Sequence, residues 1–143
     1  MTTVRQVLDG KSPEVHAVTA DSAVIDAIRL MAEKSIGAVL VMEGPRLAGI
    51  LSERDYARKI VLHERSSRDT RVADIMTAQL ITVAPTAQVE DCLQLVTRHR
   101  IRHLPVLEAG RVLGVISIGD LVKAVIDAQQ QQLEHLQQYI VAG

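Results

Sequence analysis

Gly49-Ile-Leu-Ser-Glu-Arg-Asp55 decides the fold, because the chain writes it twice. At an offset of 65 residues it reads Gly114-Val-Ile-Ser-Ile-Gly-Asp120. In both copies an apolar run ends in Gly, two aliphatics and Ser, with Asp three residues after the Ser. An apolar, helix-like segment follows. That is the pattern of a strand turning directly into a helix, and its recurrence marks internal repetition. From Val18 to Ile60 the second copy aligns without a gap. Val18 matches Val83, Asp26 matches Asp91, Ile36 matches Ile101 and Arg46 matches Arg111.

Working outward from the first copy, Val15-His-Ala-Val-Thr19 alternates weakly and reads as a strand. Asp21 or Ser22 can cap the next helix. Val24, Ala27, Ile28, Met31 and Ala32 recur at helical spacing, which predicts a helix over 23–35 with one buried face, ended by Gly37. Ala38-Val-Leu-Val-Met42 is short and wholly apolar, as a buried strand is. Glu43-Gly-Pro-Arg46 is a turn, 47–51 the next strand, and Ser52 opens a helix to about residue 62. The unit is β-α-β-β-α. Val72-Ala-Asp-Ile-Met76 echoes Val4-Arg-Gln-Val-Leu8. The expected organisation is a first repeat over 1–64, a linker over 65–71, a second repeat over 72–127 and a C-terminal helical extension over 128–143. In that extension Leu133, Leu136 and Ile140 form a stripe that suits packing back on the domain or a subunit contact.

Composition narrows the function. Of the 143 residues 48% are apolar, yet Phe and Trp are absent and Tyr occurs twice, so the core is aliphatic. This suits short strands covered by helices in an α/β fold. A net charge of -1 supplies no basic field for nucleic acid or an acidic membrane. The scarcity of aromatics argues against a base-stacking platform. A single cysteine, Cys92, excludes an intrachain disulfide and a multi-cysteine metal site. No metal site is expected. Without an 18-residue apolar run or a signal-peptide core, the chain is expected in the cytoplasm, or in an organelle matrix where a transit peptide has been removed.

Taken together, the two Gly-h-h-Ser-x-x-Asp stretches, Asp74-Ile-Met-Thr77 at the start of the second unit and Arg102-His-Leu-Pro-Val106 before its middle strand resemble a pair of cystathionine-β-synthase (CBS) domains, or Bateman module. Ser52-Glu-Arg-Asp-Tyr-Ala-Arg-Lys59 followed by Ser66-Ser-Arg-Asp-Thr70 is similar to small stand-alone CBS-pair proteins. The resemblance spans 4–126. It implies two β-α-β-β-α repeats related by a pseudo-two-fold axis, with two clefts between them that take adenosine-containing ligands: AMP, ADP, ATP, NAD or S-adenosylmethionine. It further implies a homodimer that regulates a separate protein partner, with no catalytic cofactor.

The cleft chemistry is concrete. A carboxylate can accept both hydroxyls of a ribose, and Asp55 and Asp120 are placed for that. Ser52 and Ser117 add hydroxyls at helix starts, where free N–H groups suit a phosphate. The same Ser-x-x-Asp spacing is that of a capping box, and one residue can serve both ends. Arg54, beside Glu53 and Asp55, offers a fixed positive charge; Ile118 and Gly119 beside Asp120 offer none. By the resemblance, the Asp55 cleft draws also on Thr77, Ala78, Leu80, Ile81 and His103. The Asp120 cleft draws on Lys11, Val15, His16, Gly37, Ala38 and Arg102. Arg54 alternatively lies on a solvated helix face, His103 is alternatively a satisfied interior histidine, and Val15, Leu80 and Ile81 are alternatively strand core. The first repeat departs from the family pattern at Leu40, where the second has Pro105, and in a longer loop before its first strand.

Rival functions are weaker. No metalloprotease, nucleophile-elbow or P-loop pattern occurs, so no enzyme is expected. His99 and His103 straddle a helix-to-strand junction, and Cys92 lies on an apolar helix face with Val89 and Val96. Glu64, Asp69 and Asp74 interrupt the Arg65, Arg68 and Arg71 cluster that a nucleic acid would need. A ligand-free dimerisation module remains the alternative.

Overall fold

Ala38–Glu43 (β2) is an unbroken apolar run through Met42, and its first four residues are buried. A strand so enclosed needs partners on both edges. Ala17–Thr19 (β1) pairs with it in parallel and Arg46–Ser52 (β3) antiparallel, with a bulge between Val41 and Met42. The chain reverses between β2 and β3 at Gly44, whose φ of 59° precedes a proline, as in a turn with glycine first. Helix α2 (Val24–Lys34) turns Val24, Ala27 and Met31 into the core beside Val39, Val41, Leu51, Ile60, Val72 and Ile75. The computed structural model describes residues 2–142, excepting the side chain of Ala142.

The first repeat opens on α1 (Val4–Asp9) and closes on α3 (Glu53–Tyr56), which widens into a π-helical turn over Ala57–Val61. The second opens on a 3-10 turn at Val72–Asp74, then runs through α4 (Val89–His99), β4 (His103–Glu108), β5 (Arg111–Ser117) and α5 (Ile118–Ala142). Strands β4 and β5 form a two-stranded sheet. Ala109 and Gly110 join them at φ of 51° and 78°, the paired positive values of a type I′ hairpin.

The two repeats are not equally regular, and Pro105 explains why. In the first repeat the amide of Leu40 donates to the His16 carbonyl at 3.1 Å, extending the β1–β2 ladder. Pro105 occupies the equivalent place and has no N–H to donate. The expected first strand of the second repeat shrinks to a single parallel bridge, Val83 to Val106, with Val83 N–H on the Pro105 carbonyl and Leu107 N–H on the Val83 carbonyl.

The chain folds as two compact units, and neither is a contiguous repeat. One, here the Asp55 unit, holds 14–81 and 109–112; the other, the Asp120 unit, holds 2–13, 82–108 and 113–142. Backbone hydrogen bonds account for the exchange. In the Asp55 unit, Val24 N–H donates to the Thr70 carbonyl at 2.9 Å and Val72 N–H to the Ser22 carbonyl at 2.8 Å. In the Asp120 unit, Val89 N–H donates to the Thr2 carbonyl at 3.0 Å and Val4 N–H to the Ala87 carbonyl at 2.8 Å. Each opening segment therefore seals the long helix of the other repeat. The helix starts need no side-chain cap in consequence: the N-cap of α2 is Ala23, not Asp21 or Ser22, and the Ser22 hydroxyl accepts the Thr19 amide instead. The end of α2 also differs from expectation. Ser35, at φ 55°, takes the left-handed position, two residues before Gly37.

In the Asp120 unit, α4 packs on β4 and α5, and α1 packs on α5. Its buried apolar residues include Val4, Val89, Cys92, Val96, Leu104, Val106, Ile116 and Leu121. Burial, with the Asp91 charge adding to it, pushes the Cys92 thiol up, as an inert interior cysteine requires.

Candidate ligand-binding site

In the Asp55 unit, β3 delivers Ser52 to the start of α3 and the capping box forms. The Ser52 hydroxyl accepts the Asp55 amide at 3.2 Å; the Asp55 carboxylate accepts the Ser52 amide at 3.0 Å. The carboxylate does more than cap. It accepts the Ser52 hydroxyl at 3.0 Å and the Thr77 hydroxyl at 3.2 Å, and it lies 3.1 Å from the Lys59 ammonium. Lys59 is anchored in turn, donating to the Ile75 carbonyl at 2.8 Å. The first amide of the helix, Glu53 N–H, donates to the Gly37 carbonyl at 3.0 Å.

The Asp120 unit repeats the arrangement with different partners. Ser117 N–H donates to the Asp120 carboxylate at 2.9 Å and Asp120 N–H to the Ser117 hydroxyl at 3.1 Å. Ile118 N–H donates to the Arg102 carbonyl at 2.8 Å, the counterpart of Glu53 and Gly37. The ammonium of Lys11 sits 2.6 Å from the carboxylate and 2.8 Å from the Val115 carbonyl. Burial alone would raise the Asp120 carboxyl. The Lys11 ammonium and the Ser117 donors outweigh it and hold the group below the usual carboxylate value. A cleft of about 330 Å³ opens beside the pair, lined by α1 and α5 and including Gln6, Lys11, Asp120, Lys123 and Asp127.

Glycine leaves room where the opening segments cross the strands. A Cβ on Gly49 would stand 2.8 Å from the Met76 sulfur and 2.9 Å from the Thr77 carbonyl oxygen; one on Gly114 would stand 2.9 Å from a Leu8 methyl. These crossings are what bring Thr77 to Asp55, and the residues following α1 to Asp120.

The other expected site residues distribute as follows. Arg54 is half-buried on the first turn of α3, with Glu53 exposed beside it. Ala78 is exposed and Leu80 and Ile81 are half-buried in irregular backbone after Thr77, not in a strand core. His103, assigned by resemblance to the Asp55 cleft, belongs to the Asp120 unit. Val15, His16, Gly37 and Ala38, assigned to the Asp120 cleft, belong to the Asp55 unit, where Val15 is exposed and His16 lies 3.6 Å from the Glu14 carboxylate. Ile118 and Gly119 are exposed at the start of α5, and Arg102 is exposed before β4. Lys59 was not among the expected contacts, although its place four residues after Asp55 on a helix is a readable pairing signal. Lys123 was missed too; its only signal is its spacing of three from Asp120. Among the described residues no group of three or more metal-binding side chains gathers.

His103 gives the Asp120 unit a pH dependence. Burial pushes its imidazole below the ordinary value of 6.5; Lys11 and Arg102 push it further down, against Asp120. The unfolded chain therefore takes up that proton first. Its contribution to stability is complete above about 6.5 and is lost as the pH falls from there toward the folded value. The melting temperature should drop between pH 7 and pH 5, and His103→Asn should drop less; equal drops would place the titrating group elsewhere.

Comparison with known proteins agrees with this geometry. The CBS domain model matches residues 4–62 and 72–127. A mitochondrial CBS domain-containing protein of Arabidopsis thaliana, CBSX3, is 41% identical, covering 99% of this chain and 73% of its own. A solved CBS-domain protein from Burkholderia ambifaria, named for signal transduction, is 55% identical with a TM-score of 0.87, over 90% of this chain and 96% of that one. A hexameric CBS-CP12 protein from bloom-forming cyanobacteria is 28% identical with a TM-score of 0.76, over 85% and 70% of the respective chains. Such domain pairs are commonly regulatory or signal-transduction modules. Two repeats, two Ser-capped aspartates at strand-to-helix turns and two matches to one model place this chain in the CBS domain family, as a tandem pair.

Proposed function

We propose that the protein is a regulatory sensor that binds adenosine-containing ligands (AMP, ADP, ATP, NAD or S-adenosylmethionine) at Asp55 and Asp120, and that occupancy alters what it offers to a separate partner protein. The supporting observation is the pair of carboxylates themselves. Each is held at a strand-to-helix turn by backbone and hydroxyl donors, and each faces a lysine ammonium that a ribose diol can replace. Resemblance assigns the remaining contacts. The repeats divide at 65–71, and the protein acts in the cytoplasm or an organelle matrix; among the described residues no helix is long and apolar enough to cross a membrane. Thermal shift with each ligand in turn tests the reading. Stabilisation by at least one of them supports it, and a flat response to all five at millimolar concentration contradicts it.

The homodimer reading rests on α5. Val122, Ile126, Leu133, Leu136 and Ile140 are all exposed apolar residues, spaced by four, seven, three and four along the helix. That is the seam of a two-helix coil, with Gln129 as its polar position, and a second copy presents the matching stripe. Replacing Leu133 and Leu136 together by Glu should convert the dimer to monomer in sedimentation at micromolar concentration while the circular dichroism spectrum is retained. A dimer that survives the change would place the interface off this stripe.

A further inference from the structure

Given a homodimer through α5, the stripe also fixes which way the second copy runs. From Gln129 onward every described side chain of α5 is exposed, and a helix of about 14 residues left bare in water is marginal. The seam continues unbroken from the folded unit into this extension. Ile126, Leu133 and Ile140 take one heptad position; Val122, Gln129 and Leu136 take the other. Beyond Asp127 the positions flanking the seam are Gln130, Gln132, Gln137 and Tyr139, all uncharged. Two identical copies therefore meet there without like-charge repulsion.

We propose that Gln129 makes the contact a parallel, in-register pair of α5 helices. In a parallel pair each heptad position meets its own kind, so the two copies of Gln129 lie side by side. Each carboxamide then donates to the other and accepts from it. In an antiparallel pair the two heptad positions meet each other instead. Every residue at the first position is Ile or Leu, so in any antiparallel register both glutamines face aliphatic side chains. An amide buried there without a partner costs its full desolvation penalty. Sliding a parallel pair by one heptad has the same fault, because it sets Gln129 against Val122 or Leu136. The parallel arrangement also keeps the ligand site open. At about 100° per residue, Asp120, Ala124, Asp127 and Gln131 fall on the side of α5 away from the seam, on the wall of the cleft beside Lys11. Both Asp120 sites then lie at the same end of the coil and face outward.

The test reads orientation by disulfide formation. Ile126→Cys and Leu136→Cys chains, one of them labelled with heavy nitrogen, are mixed in equal amounts and equilibrated in a glutathione redox buffer. The linked dimers are then identified by mass; Cys92 is buried and stays out of the exchange. The two like-to-like disulfides should exceed the mixed one at least about tenfold, the penalty of stranding the amides. A predominant mixed disulfide, which an antiparallel pair forms by setting 126 against 136, overturns the orientation while leaving the homodimer standing. With Gln129→Leu added to both chains the dimer should persist and the mixed product rise to within about threefold of the others. An unchanged preference there overturns the role of Gln129. A dimer in sedimentation that forms none of these disulfides, or a parent that is monomeric, overturns the α5 contact and the orientation together.

Discussion

Asp55→Ala and Asp120→Ala should each remove one of two adenosine sites, and the double variant should abolish saturable binding. A carboxylate that accepts both ribose hydroxyls makes two charge-assisted bonds, each worth about 1.5–3 kcal/mol against an apolar replacement. Loss of the pair predicts affinity falling by more than about a hundredfold at the altered site. The structural cost is smaller. Each Asp also closes a capping box, and losing such a cap costs about 1 kcal/mol. The variants should therefore stay folded, with urea midpoints only modestly lowered. Halved stoichiometry in each single variant, read by calorimetry, is the expected signature. Unchanged affinity with a strongly lowered midpoint would assign both residues to capping alone.

Gly49→Ala should be the most damaging small substitution in the Asp55 unit, at about 1–3 kcal/mol, the usual penalty for overpacking. Its Cβ would meet the Thr77 carbonyl oxygen at 2.9 Å and the Met76 sulfur at 2.8 Å. That carbonyl is not free to retreat, because it accepts the Ile50 amide at 3.0 Å while the Thr77 amide donates back to Ile50 at 2.9 Å. Displacing it pulls the Thr77 hydroxyl from Asp55 as well, so stability and ligand affinity should fall together. Gly114→Ala is the control: there the Cβ meets only a methyl of Leu8, the mobile end of a side chain. It should cost under about 1 kcal/mol after rotamer adjustment. Equal midpoints in urea for the two variants would show that the Thr77 segment is not held where the structure places it.

The repeat made much of this legible. Positions related by 65 residues carry equivalent roles, down to the amides of Glu53 and Ile118 that donate to the carbonyls of Gly37 and Arg102. Strands β2 and β3 and helix α2 follow from apolar runs and helical spacing within a residue or two of where they lie. Register tells which residues are equivalent, but not which repeat an opening segment packs on. Val4 and Val72 look interchangeable as text, yet Val4 is tied to Ala87 and Val72 to Ser22, each just ahead of the long helix of the other repeat. The same tertiary bonds override the local capping signals at Asp21 and Ser22. The shortened strand before Val83 was readable in principle, since Pro105 stands where Leu40 donates a ladder bond. Lys59 hid in plain spacing: a lysine four residues after an aspartate usually marks a solvated helix face, and only the fold shows the aspartate half-buried.

One calorimetric titration of AMP into the stripped parent protein, run beside the Asp55→Ala, Asp120→Ala double variant, tests the central claim most directly. Saturable heat in the parent and none in a folded double variant is the predicted result. Heat that persists in the double variant, or is absent from the parent, would contradict it.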